Sequence, residues 1–380
     1  KVNMAKNILM NTSKVVEDKG TYNNLYTHNS YSPRRQGAGL MQLHSALSTP
    51  VVVTNATTNE SKVALKEIKD NKATFTLKVE NFSNEAVTYD VSGNVLTDLN
   101  IDGVDQLESQ GIYKADTISA AAPWVGEYPI SFSTKQVTVQ PKGAATVEVT
   151  LDLANTVDWF YNAPLDELFE NGYFVEGFVT LTDVNDVNPT VNVPYVGFNG
   201  DWNKAPIIDP SVYDENFDKS FYQWTGMVTS AGDDNYNYLG FNPADGSAQA
   251  TNIAFSPNGD GVSDDALPIL SFLRNAKLVE YKIVDKDGNI LRKLNSEELV
   301  RKNFNDGGTA PQYNIKTAPV WDGKIKNKLV EDGEYFYEIS STIDFAGKEP
   351  QKVTFPVVVD TVAPEVTASV SGKKLALSST

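Results

Sequence analysis

The chain has 380 residues, 41% of them hydrophobic, with 17 Tyr, 17 Phe, no Cys and a formal net charge of −17. That length suits two or three domains, and the apolar content is enough to build real cores rather than a disordered chain. The missing Cys excludes disulfides and cysteine–zinc sites, the acidic balance makes nucleic acid and anionic lipid poor partners, and no run of about 18 apolar residues offers membrane insertion.

From the start of the chain, Val2, Ala5, Ile8 and Leu9 lie on one helical face that ends in Asn11-Thr12-Ser13. Gln36-Gly37-Ala38-Gly39 reads as a tight turn, because two glycines a residue apart accept positive φ freely. Beyond it Leu40, Leu43, His44 and Leu47 recur at i, i+3, i+4 and i+7, one face of a second short helix with His44 packed or capping on it. Two such helices cannot bury a core alone. Residues 1–47 therefore read as the tail of a domain whose body lies elsewhere, and the chain as a piece of a longer protein.

Helical periodicity stops at Leu47, and Ser48-Thr49-Pro50 leads into Val51-Val52-Val53. From there the pattern has period two. Ala73, Phe75, Leu77 and Val79 alternate with polar residues, as do Val87, Tyr89 and Val91, then Val147, Val149 and Leu151 after the Pro141-Lys142-Gly143 turn. Such alternation, with turn residues at regular spacing, predicts an antiparallel sandwich of the fibronectin III or immunoglobulin kind over residues 48–200. Residues 162–171 read as a short helical or looped insertion, the stretch 173–181 as the penultimate strand, and Val191, Val193 and Tyr195 as the closing one. Asn199 to Pro206 marks a boundary, with Trp202 either anchoring the junction or filling a core. The remainder of 201–250 is aromatic and acidic without clean periodicity. A second sandwich is predicted over 251–360, with the Asp287-Gly288-Asn289 hairpin, a hairpin within 321–339, and a last strand carrying Val353, Phe355, Val357 and Val359. Residues 361–380 read as a linker and the opening strand of a third module. The fold class expected is mainly β, two consecutive antiparallel sandwiches behind a short helical remnant.

The segments "AKNILMNTS" and "QGAGLMQLHSAL" resemble the last helices of a subtilisin-like serine protease domain. "NVPYVGFNGDWNKAPI" at 192–207 and "FSPNGDGVSDD" at 255–265 resemble the accessory domains of cell-envelope subtilases of Gram-positive bacteria, the lactocepin and C5a-peptidase group. The resemblance covers nearly the whole chain. It implies a remnant from an α/β catalytic domain, fibronectin-like modules that stabilise that domain and help position protein substrates, an extracellular, cell-wall-associated setting, and a subtilisin-like catalytic segment on the N-terminal side as partner. The family's Gly-Thr-Ser nucleophile motif, its His-Gly motif and its catalytic Asp segment are absent here, so no catalytic residue is assigned and the chain is expected to be inactive alone. The alternative is a surface adhesin or spacer built of Ig-like modules, which has no reason to begin with residues 1–47.

Candidate chemistry is sparse. A Ser/His/Asp mechanism needs an activated nucleophile, and the two histidines, His28 and His44, lie in no motif that makes either a general base. The one strong local motif runs from Asn258 to Asp265. Asn258, Asp260, Asp264 and Asp265 can offer side-chain oxygens and Val262 a carbonyl on a glycine-relieved turn, the donor types calcium prefers, although the distal Glu of an EF-hand is missing. The competing reading is a polar turn held by Asx bonds. Calcium also has weaker candidates at Asp183, Asp186 and Asn188 and at Asp233–Asn235, which read as solvated loops. Arg34-Arg35 is expected to pair with local acids, and the five tryptophans are not spaced as a carbohydrate platform.

Overall fold

Where the sequence alternates, strands form with the apolar side inward. The computed structural model describes residues 2–379 apart from 18–20, 23–24, 27–28, 102, 119–125, 159–161, 243, 305–307, 364–365 and 372–373. His28, Trp124 and Trp159 lie outside the described residues. The chain divides into two compact units, Lys1–Ala205 and Pro206–Thr380.

In the first unit, Lys72–Asn81 pairs antiparallel with Ala144–Asp152, from Glu80 opposite Ala144 to Lys72 opposite Asp152. Val51–Asn55 and Ile130–Phe132 flank this pair and complete a four-stranded sheet. The facing sheet has eight strands centred on Tyr173–Asp183. That strand pairs on one side with Val191–Asn199, which runs parallel to Val63–Ile68. On its other side it pairs with Val87–Gly93 through residues 179–183 and with Leu96–Ile101 at Glu176 opposite Leu96. Gln136–Val139, Val104–Lys114 and Thr156–Asp158 extend the two branches. The predicted inward residues are the ones that meet between the sheets: Leu77, Val79, Tyr89, Val149, Leu151, Val179, Val191, Val193 and Tyr195 all belong to one buried cluster. The insertion at 162–171 is a single helical turn, Leu165–Leu168, with Leu165 buried. Trp202 packs edge-on against Phe174 and Phe198, with centroids at 5.6 and 4.7 Å.

The large sheet branches at Asn94. Its backbone N–H donates to the Phe178 carbonyl, its Oδ1 accepts from Phe178 N–H (2.8 Å), and the Tyr195 hydroxyl donates to its backbone carbonyl (2.5 Å). Gly177 is required opposite it, because a Cβ there would sit 2.3 Å from the Asn94 carbonyl oxygen.

In the second unit a five-stranded sheet runs Ala254–Phe255, Gln351–Val359, Gly333–Thr342, Ala276–Val284, Ile290–Val300. The expected hairpin closes through Asp285, whose Oδ1 accepts from Asp287 and Asn289 N–H. A second hairpin, Lys324–Ile325 with Lys328–Leu329, turns at Lys326 and Asn327, both at positive φ as a type I′ turn demands. The aperiodic stretch before residue 250 supplies Gly226–Ser230 and Tyr236–Tyr238. These join Leu267–Leu270 and Asn314–Ile315 in a four-stranded sheet. Trp321 is wholly buried, edge-on to Phe255 and Tyr335. Val366–Ser371 and Lys374–Ser379 pair with each other as a hairpin. Among the described residues no helix is long and apolar enough to cross a membrane.

Candidate functional site

The unusual chemistry of the first unit lies in residues 2–48, and it begins with a helix that faces the wrong way. Val2–Asn11 carries its apolar residues on one stripe, yet the residues it buries are Asn7 and Asn11, four apart on the opposite face. Asn11 Nδ2 donates to the Asn192 carbonyl (3.0 Å), and its Oδ1 accepts from Val53 N–H (2.8 Å) and from the Ser61 hydroxyl (3.3 Å). Asn7 repeats the device, donating to the Asn59 carbonyl (2.9 Å) and accepting from Ser61 N–H (3.1 Å). Buried polar groups are stable only when bonded, and here both amides are spent on sandwich backbone.

The next contact is Arg34. Ser32 caps the short helix Pro33–Gln36, its hydroxyl accepting from Arg34 N–H, with Pro33 at the first helical position. This start aims Arg34 along the sheet face opposite the core. Its Nε lies 2.9 Å from Glu176 Oε2, and its Nη2 lies 3.0 Å from Oε1 and 2.6 Å from Asp98 Oδ1, with the guanidinium over the Phe174 ring at 3.7 Å. Glu176 is 0% exposed, so its charge is tolerable only with this forked partner. Arg35 donates to the Leu107 carbonyl (3.1 Å) and lies over Tyr31. The expectation that Arg34-Arg35 meets acids holds for Arg34, whose acids are 142 and 64 residues away rather than local.

With Asn7 and Asn11 committed to the sandwich, Val2 and Ala5 of the first helix face out while Ile8 and Leu9 are half-buried. Val2 is 82% exposed, Leu40, Met41 and Leu43 are each 61%, and Leu47 is 81%. His44, expected to be packed or capping, is exposed on the same short helix, Leu43–Ser48. That helix starts later than the periodicity suggests because Leu40 is held in a bridge to Lys14, N–H to carbonyl in both directions at 2.8 Å. The bridge needs Gly39, at φ +111, where a Cβ would lie 2.3 Å from the Lys14 carbonyl oxygen.

The Asn258–Asp265 turn is exposed and internally bonded. Asp264 accepts from Gly259 N–H (2.6 Å) and Gly261 N–H (2.7 Å), Asn258 Oδ1 from Asp260 N–H (2.9 Å), and Asp260 Oδ1 from Val262 N–H (2.8 Å). Asn258, Asp260 and Asp264 thus share one loop. Asp265 turns instead to the Gly226–Ser230 strand, accepting from Ser230 N–H (2.8 Å), the Ser230 hydroxyl (2.7 Å) and the Thr229 hydroxyl (3.1 Å). The donor types suit calcium, but the turn's carboxylates already serve the loop's own N–H groups. No group of three or more His, Cys, Asp or Glu placed to hold a metal occurs among the described residues. Asp183, one of the weaker acidic candidates, is spent in the same way on Val187 and Asn188 N–H.

Residues 63–196 match the Fn3-like domain family. Over 97% of its length the chain is 26% identical to a C5a peptidase of Streptococcus pyogenes, of which it spans 34%. Over 95% of its length it is 28% identical to a PI-type proteinase of Lactococcus lactis subsp. cremoris, of which it spans 18%. The chain is similar to these peptidases over nearly its whole length. It therefore corresponds to about a third or less of each of them, and the resemblance read from residues 36–47, 192–207 and 255–265 agrees with these matches. Sequence reasoning singled out Arg34 but not Glu176, Asp98, Asn7 or Asn11. Only the Asn7/Asn11 spacing, on the helix face opposite the apolar stripe, was there to be read.

Proposed function

We propose that this chain is the non-catalytic, accessory portion of an extracellular, cell-wall-associated subtilisin-like serine endopeptidase. Residues 2–48 form the joint. Their polar face is bonded to the first sandwich, and their apolar face is the surface on which the catalytic segment closes. The carrying observation is the exposure of Val2, Leu40, Met41, Leu43 and Leu47, since water-exposed apolar side chains on elements that are otherwise bonded down mark a contact surface. The first sandwich then stabilises the catalytic segment and helps position extended protein substrates.

Calcium enters this reading only in the form the turn allows. An ion held by Asn258, Asp260, Asp264 and the Val262 carbonyl has four protein ligands, short of the six to eight oxygens calcium takes, so weak binding in the roughly millimolar class of extracellular modules is the expectation.

The test is co-expression of this chain with the subtilisin-like catalytic segment of its parent protein, followed by co-purification and a casein-cleavage assay. Association with restored cleavage is expected for the native chain, and loss of both for Leu43→Glu/Leu47→Glu. Failure of the native pair to associate, or association indifferent to the double substitution, overturns the proposal.

A further inference from the structure

Three charged side chains meet where the Pro33–Gln36 helix lies on the large sheet, and their charges do not balance. Arg34 gives Glu176 two hydrogen bonds and Asp98 one, so a single guanidinium serves two carboxylates. The Glu176, Asp98 and Arg34 side chains are 0%, 12% and 22% exposed. Glu176 holds the fork and is fully enclosed. Asp98, with one bond at 2.6 Å, is the carboxylate left to share.

Among the described residues, the other charged and titratable groups on the surrounding elements do not supply the missing cation. Arg35 is directed to the Leu107 carbonyl and the Tyr31 ring. Asp105, on the neighbouring strand, is bonded to Asn100 Nδ2 (2.7 Å) and adds negative charge, and Glu108 on that strand is a further acid. The Tyr195 hydroxyl on Val191–Asn199 donates to the Asn94 carbonyl. The Asp98 carboxyl is accordingly pushed up to about 6: burial raises it, the bond and charge of Arg34 pull it down, and Glu176 and Asp105 raise it further.

We propose that Arg34, Asp98 and Glu176 form an acid-strengthened clamp that fixes residues 31–47 on the outer face of the large sheet, with Arg34 as the positioning residue. The enclosure of Asp98 and Glu176 depends on the segment lying over them, since Glu176 points away from the core that Val175 and Val179 enter. When the segment lifts, both carboxylates return to water and Asp98 titrates near its ordinary 3.8. The closed state therefore holds a proton on Asp98 more tightly than the open one. Closure strengthens as pH falls through 6 and weakens as pH rises through it. In the accessory-domain reading, on which this consequence rests, the apolar stripe is presented more firmly in acid. The clamp itself depends on this chain alone.

The experiment is amide hydrogen exchange of the full chain at pH 5, 6 and 7, corrected for the intrinsic rate, with residues 31–47 compared against the Ala144–Asp152 strand. A shift from 3.8 to about 6 implies roughly a tenfold drop in the opening constant of residues 31–47 between pH 7 and pH 5. Asp98→Asn is expected to flatten that dependence while leaving the Ala144–Asp152 strand protected. Arg34→Lys, which keeps the charge but loses the fork, is expected to weaken protection at every pH. Carboxyl titration of Asp98 by NMR in the unaltered chain gives a second reading, with a midpoint near 6 expected. A midpoint near 4, a pH-independent opening constant, or an unchanged slope in Asp98→Asn overturns the clamp. None of these readings requires the catalytic segment, so the clamp and the accessory-domain proposal can fail separately.

Discussion

In residues 2–48 of the isolated chain, losing one asparagine should cost far more than losing a leucine. Asn11→Ala removes a side chain that is 0% exposed and bonded to the Asn192 carbonyl and to Val53 N–H. The Ser61 hydroxyl keeps its bond to the Val53 carbonyl (2.6 Å), so two backbone groups are the ones left buried and unpaired. Each such orphan costs about 1–3 kcal/mol, which sets the expected loss at about 2–6 kcal/mol. In a unit of this size that corresponds to a fall in Tm of about 4–24 °C. Leu47→Ser, at a side chain 81% exposed, should stay within about 0.5 kcal/mol. Urea denaturation followed by far-UV circular dichroism measures both. If Asn11→Ala costs under about 1 kcal/mol, or Leu47→Ser costs as much as Asn11→Ala, the assignment of the polar face as the seated one is wrong.

Gly39→Ala forces a Cβ to 2.3 Å from the Lys14 carbonyl at φ +111 and should cost at least about 2 kcal/mol; Gly37→Ala, with nothing within 4 Å, should cost only the left-handed penalty of about 1–2 kcal/mol in the same urea assay. In the second unit, Trp321→Ala empties a wholly buried site between Phe255 and Tyr335 and should lose about 3–5 kcal/mol, read as a lowered calorimetric transition. Calcium should raise the Tm of the second unit only at roughly millimolar concentration, and Asp264→Asn should remove the rise. Saturation at micromolar calcium would show ligands beyond the turn's own.

What could be read from the sequence was the part governed by local periodicity. Phe75, Leu77 and Val79 announce their strand because a half-buried antiparallel strand needs alternation and nothing else. Gly226–Ser230 gave no such signal. It is short, its Gly, Met, Val and Thr are all buried, and a strand enclosed on both faces shows no alternation. The apolar stripes of residues 2–9 and 40–47 were visible as stripes, but periodicity cannot say which face is seated. That was decided by Asn7 and Asn11, which bond to residues far away in sequence. The Arg34–Glu176 pair, 142 residues apart, was invisible for the same reason. The Asn258–Asp265 turn was located correctly as a loop, while the direction of Asp265 depended on the Gly226–Ser230 strand that had escaped notice.

The place where this protein can be cut follows from Glu176. Pattern alone invites a boundary at residue 48, where helices give way to strands, and a sandwich expressed from there would look complete by its strand count. It would carry a carboxylate without its guanidinium, a Val53 amide and an Asn192 carbonyl without their asparagine, and a bare sheet face. Such a truncation should be prone to aggregation and poorly soluble, whereas one ending at Ala205 and retaining the N-terminal residues should behave as a self-sufficient unit. For a chain built this way, the change of secondary structure at residue 48 is not a place to cut, because the residues before it are bonded to the strands after it.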